Sequence, residues 1–146
     1  GYLALGRHGI MVDEWVMMER PGRYRFTLAY EAARFLLQEQ ICPKGVRTPS
    51  DLLAWHQEMP DWVRESSKFE AYDFGGLVLV PPDHLQREFA KSKGKVDSAV
   101  GRSHWQLKSY LWLGIVDELS RTFDVSSAVI KKRVQKDRLL PPGVQV

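Results

Sequence analysis

A five-residue segment in the first quarter of the chain has the spacing of a helical zinc-binding motif. In the motif H-E-x-x-H, two histidines four residues apart reach one face of a helix, and the glutamate between them is the general base for a metal-bound water. The corresponding segment here is Tyr30-Glu31-Ala32-Ala33-Arg34. Glu31 alone keeps its type, which makes it the candidate catalytic residue, as the relic of a general base.

The residues at the two histidine positions are poor zinc ligands, because a ligand must offer a lone pair at neutral pH. Tyr30 is a phenol that ionises at about pH 10 in isolation, and the Arg34 guanidinium has donors and no acceptor. By themselves these residues allow two interpretations. The segment is either a zinc site that has lost its ligands, or an ordinary amphipathic helix with a surface ion pair between Glu31 and Arg34.

Three segments resemble the ImmA/IrrE family of metallopeptidases, in the order in which that family has them. Residues 24–37, YRFTLAYEAARFLL, resemble the family's R-F-T-x-A-H-E-x-x-H helix with both histidines replaced. Residues 70–81, EAYDFGGLVLVP, resemble its segment E-A-N-x-F-A-A-x-L-L-M-P. Residues 119–140, LSRTFDVSSAVIKKRVQKDRLL, resemble the helix-turn-helix-like segment that follows the peptidase core.

The resemblance implies that the third zinc ligand is a glutamate of the second segment. Glu70 falls on that position in one register and Lys68 in another. The former metal-ligand positions are then Tyr30, Arg34 and Glu70, and we expect no bound metal, although active relatives hold zinc. We hypothesise that the Arg34 guanidinium takes the place of the metal beside Glu31 and Glu70, because two buried carboxylates without a cation would be costly.

The third segment carries a cluster of cations on a helix that begins near Ser126 or Ser127. A helix-turn-helix inserts its second helix into the major groove of DNA and uses such cations on phosphates. The alternative is a solvated basic helix that closes the core, and no asparagine or glutamine stands at its start to read bases. The candidate nucleic-acid contacts are Lys131, Lys132, Arg133, Lys136 and Arg138.

The elements that must position these residues are helical after a β-prone start. Residues 9–17 have strand-like composition, and the Pro-Gly pair of residues 20–24 predicts a turn. Apolar residues recur at helical spacing in most of the remaining chain. The exception is the polar stretch 87–104, which predicts an exposed helix end and loop.

The predicted fold is α+β. We expect a zincin-like core in residues 1–105, with a small sheet packed on the active-site helix and a second helix. A helical, helix-turn-helix-like segment occupies residues 106–146.

The composition excludes several classes of protein. The chain of 146 residues has a net charge of +3 and a single cysteine, so no internal disulfide is possible. One cysteine and four widely spaced histidines also exclude a Cys/His zinc finger. No apolar run is long enough to span a membrane, and we expect the protein to be cytoplasmic.

The functional prediction is a degenerate ImmA/IrrE-like domain without zinc. It would act by binding a repressor-like or regulatory protein in a bacterial or mobile-element setting, not by hydrolysis. Two alternatives stay open. One is an active metallopeptidase with a rebuilt ligand set, such as Glu70 with a histidine brought in by the fold, and with Glu31 as general base. The other is a DNA-binding transcription regulator that acts through the C-terminal helices.

Overall fold

The computed structural model of the chain describes residues 2–4, 9–41, 46, 48–101 and 109–141. These residues form a nearly all-helical structure that begins with a short antiparallel ribbon, in which Leu3 of β1 lies opposite Ile10 of β2. Among them, no helix combines the length and the apolar character needed to cross a lipid bilayer. The elements are β1 (Tyr2–Ala4), β2 (Gly9–Met11), α1 (Glu14–Glu19), α2 (Pro21–Ile41), α3 (Pro49–Glu58), α4 (Asp61–Leu79), α5 (Pro82–Val100), α6 (Ser109–Phe123) and α7 (Ser127–Lys136).

The predicted α+β fold, with a small sheet packed on the active-site helix, is wrong. Most of the segment expected to continue the strand is the helix α1, where the Asp13 side chain accepts a hydrogen bond of 3.1 Å from the Val16 backbone N–H. The expected turn at Pro21 is the start of α2. Proline is well suited to a first helical turn, because its fixed φ is helical and its missing N–H has no partner there. The described β structure is limited to the ribbon.

The loop predicted in the polar stretch 87–104 is largely helical. α5 runs through it to Val100 and buries Leu85, Phe89 and Ser92 on one face, at the i, i+4, i+7 spacing of a helix. It ends at Gly101, whose φ of 79° lies in a region that glycine adopts without strain. The predicted domain boundary at residues 105–106 lies outside the described residues and stays a prediction.

The chain divides into two compact units, residues 1–75 and 76–146. In the first unit, α4 approaches α2 closely at Gly75. A Cβ atom at Gly75 would lie 3.5 Å from the Tyr30 backbone nitrogen and 3.5 Å from the Phe26 ring. The rings of Phe26 and Tyr72 also meet, with centroids 4.8 Å apart. This contact positions the turn of α2 that carries Tyr30 and Glu31.

A capping box starts α3, the helix that carries His56. The Asp51 N–H donates to Thr48 Oγ1 at 3.1 Å, and the Thr48 N–H donates to Asp51 Oδ2 at 2.9 Å. The two bonds satisfy backbone donors that a helix start leaves without partners. The N-cap of α3 is therefore Thr48.

The second unit has the larger apolar core. Its helices α5 and α6 meet through the stacked rings of Phe89 and Trp112, with centroids 5.9 Å apart, and through an ion pair between Lys95 and Glu118. Three apolar residues are buried among those described in the first unit, so the well-packed part of the described structure is the C-terminal half. The buried apolar residues of the second unit are Val80, Leu85, Phe89, Trp112, Ile115, Val116, Leu119, Phe123, Val125, Val129, Ile130 and Val134.

Candidate functional site

The centre of α2 holds a partly buried ion pair. Arg34 Nη1 donates to Glu31 Oε2 at 3.2 Å, and the side chains of Arg34 and Glu31 are 30% and 5% exposed. The Arg34 guanidinium also lies 6.0 Å from the centroid of the Tyr30 ring, within the range of a cation–π contact. The carboxylate is thus held by the arginine that stands at the second histidine position of the motif.

Glu70 and Lys68 lie on the exposed side of α4 and take no part in this pair. Glu70 Oε1 accepts a hydrogen bond of 3.0 Å from Ser66 Oγ, and Lys68 Nζ lies 2.7 Å from Glu65 Oε1. Among the described residues, the hydrogen bonds and ion pairs of Arg34 include Glu31 and not Glu70. The structure therefore brings together two of the three residues that the metal-replacement hypothesis joins.

His56 is a neighbour of Arg34 that no sequence pattern connects with it. Burial, with the positive charges of Arg34 and Arg64, lowers the pKa of His56 from its ordinary value of 6.5. The imidazole is thus held in its neutral form at neutral pH. Arg64 Nη1 lies 3.4 Å from the His56 carbonyl oxygen, which it reaches from α4. His56 and Arg34 lie on different helices, α3 and α2, so no spacing pattern in the sequence connects them.

The residues at the motif positions do not fit zinc. The Arg34 guanidinium only donates, and the Glu31 carboxylate accepts from it. Glu70, at the third ligand position, is bonded to Ser66 instead. Within the part of the chain that the structure describes, no three His, Cys, Asp or Glu residues group as metal ligands would. His104, one of the four histidines that the rebuilt ligand set could use, lies outside the described residues.

A tight turn joins α6 to α7. Asp124 has a φ of 49°, and the backbone hydrogen bonds run from Asp124 N–H to the Arg121 carbonyl at 3.3 Å and from Val125 N–H to the Ser120 carbonyl at 3.1 Å. This is the pattern of a Schellman motif, which ends a helix and reverses the chain. Val125 is buried in the turn, and α7 begins at Ser127.

The outer face of α7 is basic, and the inner face is apolar. Val129, Ile130 and Val134 are buried. Outward positions include the exposed Lys132 and Lys136 and the half-buried Lys131, and α7 itself has no carboxylate. Arg138 follows the helix in a left-handed conformation, with a φ of 54°, and is exposed. Four of the five predicted nucleic-acid contacts are thus at least partly accessible.

Arg133 is the fifth predicted contact, and the structure buries it. It is 4% exposed, and its Nη2 donates to Asp137 Oδ2 at 2.7 Å. Its aliphatic stem lies over Gly76, where an added Cβ would be 3.2 Å from Arg133 Cδ. Its Nε has no hydrogen-bond partner among the described residues. The charge of Arg133 is therefore not on the surface that phosphates would meet.

Comparison with protein-family models, with characterised proteins and with solved structures finds no match for this chain. The resemblance to ImmA/IrrE metallopeptidases therefore rests on the three sequence segments.

Replacing Arg34 tests whether the ion pair on α2 contributes to stability. We expect Arg34→Ala to lower the free energy of unfolding by about 1–3 kcal/mol, because it leaves a buried carboxylate without a partner. The measurement is urea unfolding followed by circular dichroism. The matched control is Lys68→Ala, which breaks an exposed pair with Glu65 and should cost about 0–1 kcal/mol. Equal losses in the two variants would contradict a structural role for the Glu31–Arg34 pair.

Metal content tests the altered ligand set directly. Elemental analysis of protein purified without chelator and without a metal-affinity column should give zinc and other transition metals far below a stoichiometric amount. The physical reason is that the Arg34 guanidinium cannot donate a lone pair and already holds the Glu31 carboxylate. A stoichiometric metal would show that other residues have rebuilt the site, and would favour the metallopeptidase alternative.

Proposed function

We propose that this chain is a non-catalytic regulatory protein that binds duplex DNA through α7 of its second unit. The observation that carries the proposal is the arrangement of α6, the turn at Asp124 and α7. The apolar face of α7 is used in the core, so that its cations Lys131, Lys132 and Lys136 are left on the outer face. Two helices joined by a turn of three residues, with the second helix presenting cations, is the connectivity of a helix-turn-helix.

The distribution of charge supports DNA as the partner of the second unit. Residues 76–146 carry 12 Lys and Arg against 7 Asp and Glu, a formal net charge of +5. Residues 1–75 carry 9 against 11, a net charge of −2. A locally basic unit attracts the phosphate backbone, and the first unit contributes nothing to that attraction. A regulator of this kind acts in the cytoplasm of a bacterial cell, in the stress-response or mobile-element setting that the sequence resemblance implies.

The dependence of binding on salt tests this function. Fluorescence anisotropy with a labelled duplex of random sequence should give a log–log slope of affinity against salt of about −3 to −4, as expected for four phosphate contacts. Lys132→Gln/Lys136→Gln should reduce the magnitude of that slope by about 2, since each lysine displaces one counterion. The control Arg23→Gln/Lys68→Gln removes the same charge from the first unit and should leave the slope unchanged. Equal effects of the two double variants, or binding confined to very low salt, would contradict the proposal.

A second function is favoured by the surface of the first unit. Many large apolar side chains are exposed there, more than singly scattered residues account for. They are Met11, Trp15, Met17, Met18, Phe35, Leu36, Leu53, Trp62, Phe69 and Phe74. Trp62 and Phe69, at 75% and 66% exposure, lie seven residues apart on one face of α4, and we call this pair the aromatic stripe.

We propose that the aromatic stripe docks a cationic amphipathic helix of a protein partner. Charge complementarity carries the choice, because Glu70 and Asp73 lie along the same side of α4 as the stripe, beside Glu65, whose charge Lys68 compensates. Exposed indole and phenyl rings bind both apolar side chains and the cations of Lys and Arg. This proposal takes up the regulatory-protein partner that the sequence leads us to expect.

A pair of synthetic helical peptides tests this docking surface. A labelled amphipathic peptide with leucines on one face and lysines on the other should bind the wild-type protein, and its glutamate counterpart should not. Trp62→Ala/Phe69→Ala should lower the affinity for the lysine peptide by about tenfold or more, because it removes two aromatic anchors of the interface. Leu53→Ala, at another exposed apolar position of the same unit, is the control. Two outcomes would rule out docking at the aromatic stripe. One is equal affinity of the wild type for both peptides, and the other is equal affinity of the stripe variant and of Leu53→Ala for the lysine peptide.

A further inference from the structure

The outer face of α7 has an uncharged centre line with lysines on both sides. At about 100° per residue, Ala128 and Gln135 lie almost in line along the middle of the exposed face. Lys131 lies on one side of that line, and Lys132 and Lys136 lie on the other. Ala128, Lys132, Gln135 and Lys136 are exposed and Lys131 is half-buried. The opposite face is buried through Val129, Ile130, Arg133 and Val134.

This arrangement matches the chemistry of the DNA major groove. A helix with its side chains is about 10–12 Å across and the groove is about 12 Å wide, so a helix in the groove faces base edges along its middle. Phosphates of the two strands bound the groove on either side. Neutral side chains at the centre of the face would therefore meet base edges, and cations on both flanks would meet phosphates.

We propose that α7 reads DNA sequence through Ala128 and Gln135 while the flanking lysines hold the two phosphate backbones. The inference rests on the proposed DNA-binding function and adds which residues read bases. A glutamine amide pairs with N6 and N7 of adenine, and an alanine methyl packs against the C5-methyl group of thymine. Seven residues of helix span about 10 Å, or about three base pairs. The site therefore contains an adenine and a thymine about three base pairs apart.

Two features of the fold hold this face in place. Arg133, one residue beyond Lys132, is buried with its guanidinium on Asp137, which fixes the far side of the helix. The helix ends in a second Schellman pattern, in which the Leu139 N–H donates to the Val134 carbonyl at 2.9 Å and the Arg138 N–H donates to the Gln135 carbonyl at 3.1 Å. Gln135 thus lies in a last turn whose backbone is tied down, and its side chain projects from a rigid element.

Double-stranded RNA is the competing partner for a basic helix, and the geometry disfavours it. The major groove of A-form RNA is deep and narrow, and side chains do not read bases there. A helix that reads through its centre line therefore requires DNA. Duplex DNA should bind more tightly than duplex RNA of the same sequence at the same salt.

The experiment is selection of bound duplexes from a random pool by the full chain, followed by titration of the selected site. The wild type should enrich a site with a preferred adenine. Gln135→Ala should reduce the preference for adenine over the other bases at that position by about tenfold or more. It should keep the wild-type salt slope. Lys132→Gln should do the opposite: it should keep the base preference and reduce the magnitude of the slope by about 1.

The control and the contradicting outcomes separate the inference from the function on which it rests. Gln57→Ala removes an exposed glutamine from α3 and should change neither preference nor slope. Duplex binding with no base preference, an unchanged preference in Gln135→Ala, or equal affinity for duplex RNA would overturn base reading by α7 and leave DNA binding standing. Failure of the wild type to bind any duplex near physiological salt would overturn both. Gln135 and Lys132 are exposed, so matching unfolding curves of the variants will exclude misfolding as the cause.

Discussion

The left-handed backbone at Asp124 is the constraint on which the C-terminal unit depends. It ends α6 after Phe123 and allows the Val125 N–H to reach the Ser120 carbonyl, so the chain reverses within three residues. Aspartate tolerates this conformation better than most residues, because its short polar side chain can hydrogen-bond locally. With Val125 buried in the turn, α7 starts with its apolar side towards the core. The helical period then decides which side chains of α7 face outwards.

The ion pair on α2 depends on charge compensation in a partly buried position. The Glu31 side chain is only 5% exposed, and the Arg34 guanidinium supplies it with a hydrogen bond and an opposite charge. A general base in a zinc peptidase must instead be available to take a proton from metal-bound water. Arg34 donates to Glu31 Oε2 and stands at the second histidine position, so the motif holds no ligand there that would bring a metal-bound water to the carboxylate. The pair therefore fits a structural role better than a catalytic one. His56 fits the same environment, because burial and the neighbouring Arg34 and Arg64 lower its pKa and disfavour its charged form.

The sequence predicts some elements well and others badly, for reasons that differ from place to place. The break between α6 and α7 is evident in the sequence, because apolar residues recur at helical spacing on both sides of the short turn segment at Asp124. The start of α2 is not evident in the sequence, since Pro-Gly is typical of turns and proline is also common in the first turn of a helix. α5 resembles a loop in sequence because most of its residues are polar. Only three of its positions are buried, and three positions give a weak helical pattern. The α+β expectation fails through these local errors, and because residues 14–17, which have strand-like composition, belong to the helix α1.

At the candidate sites, the sequence by itself determined the chemistry that is present. It placed Glu31 and Arg34 within reach on one helix, put Tyr30 and Arg34 where a zinc motif has histidines, and put a run of cations on a helix after a turn. The tertiary structure decided which of those charges are exposed and can contact a partner. Lys132 and Arg133 are neighbours of similar charge, yet Lys132 is exposed and Arg133 is 4% exposed over Gly76. A step of about 100° around the helix separates them. The absence of a side chain at Gly76, on α4, leaves room for Arg133, since an added Cβ would lie 3.2 Å from Arg133 Cδ.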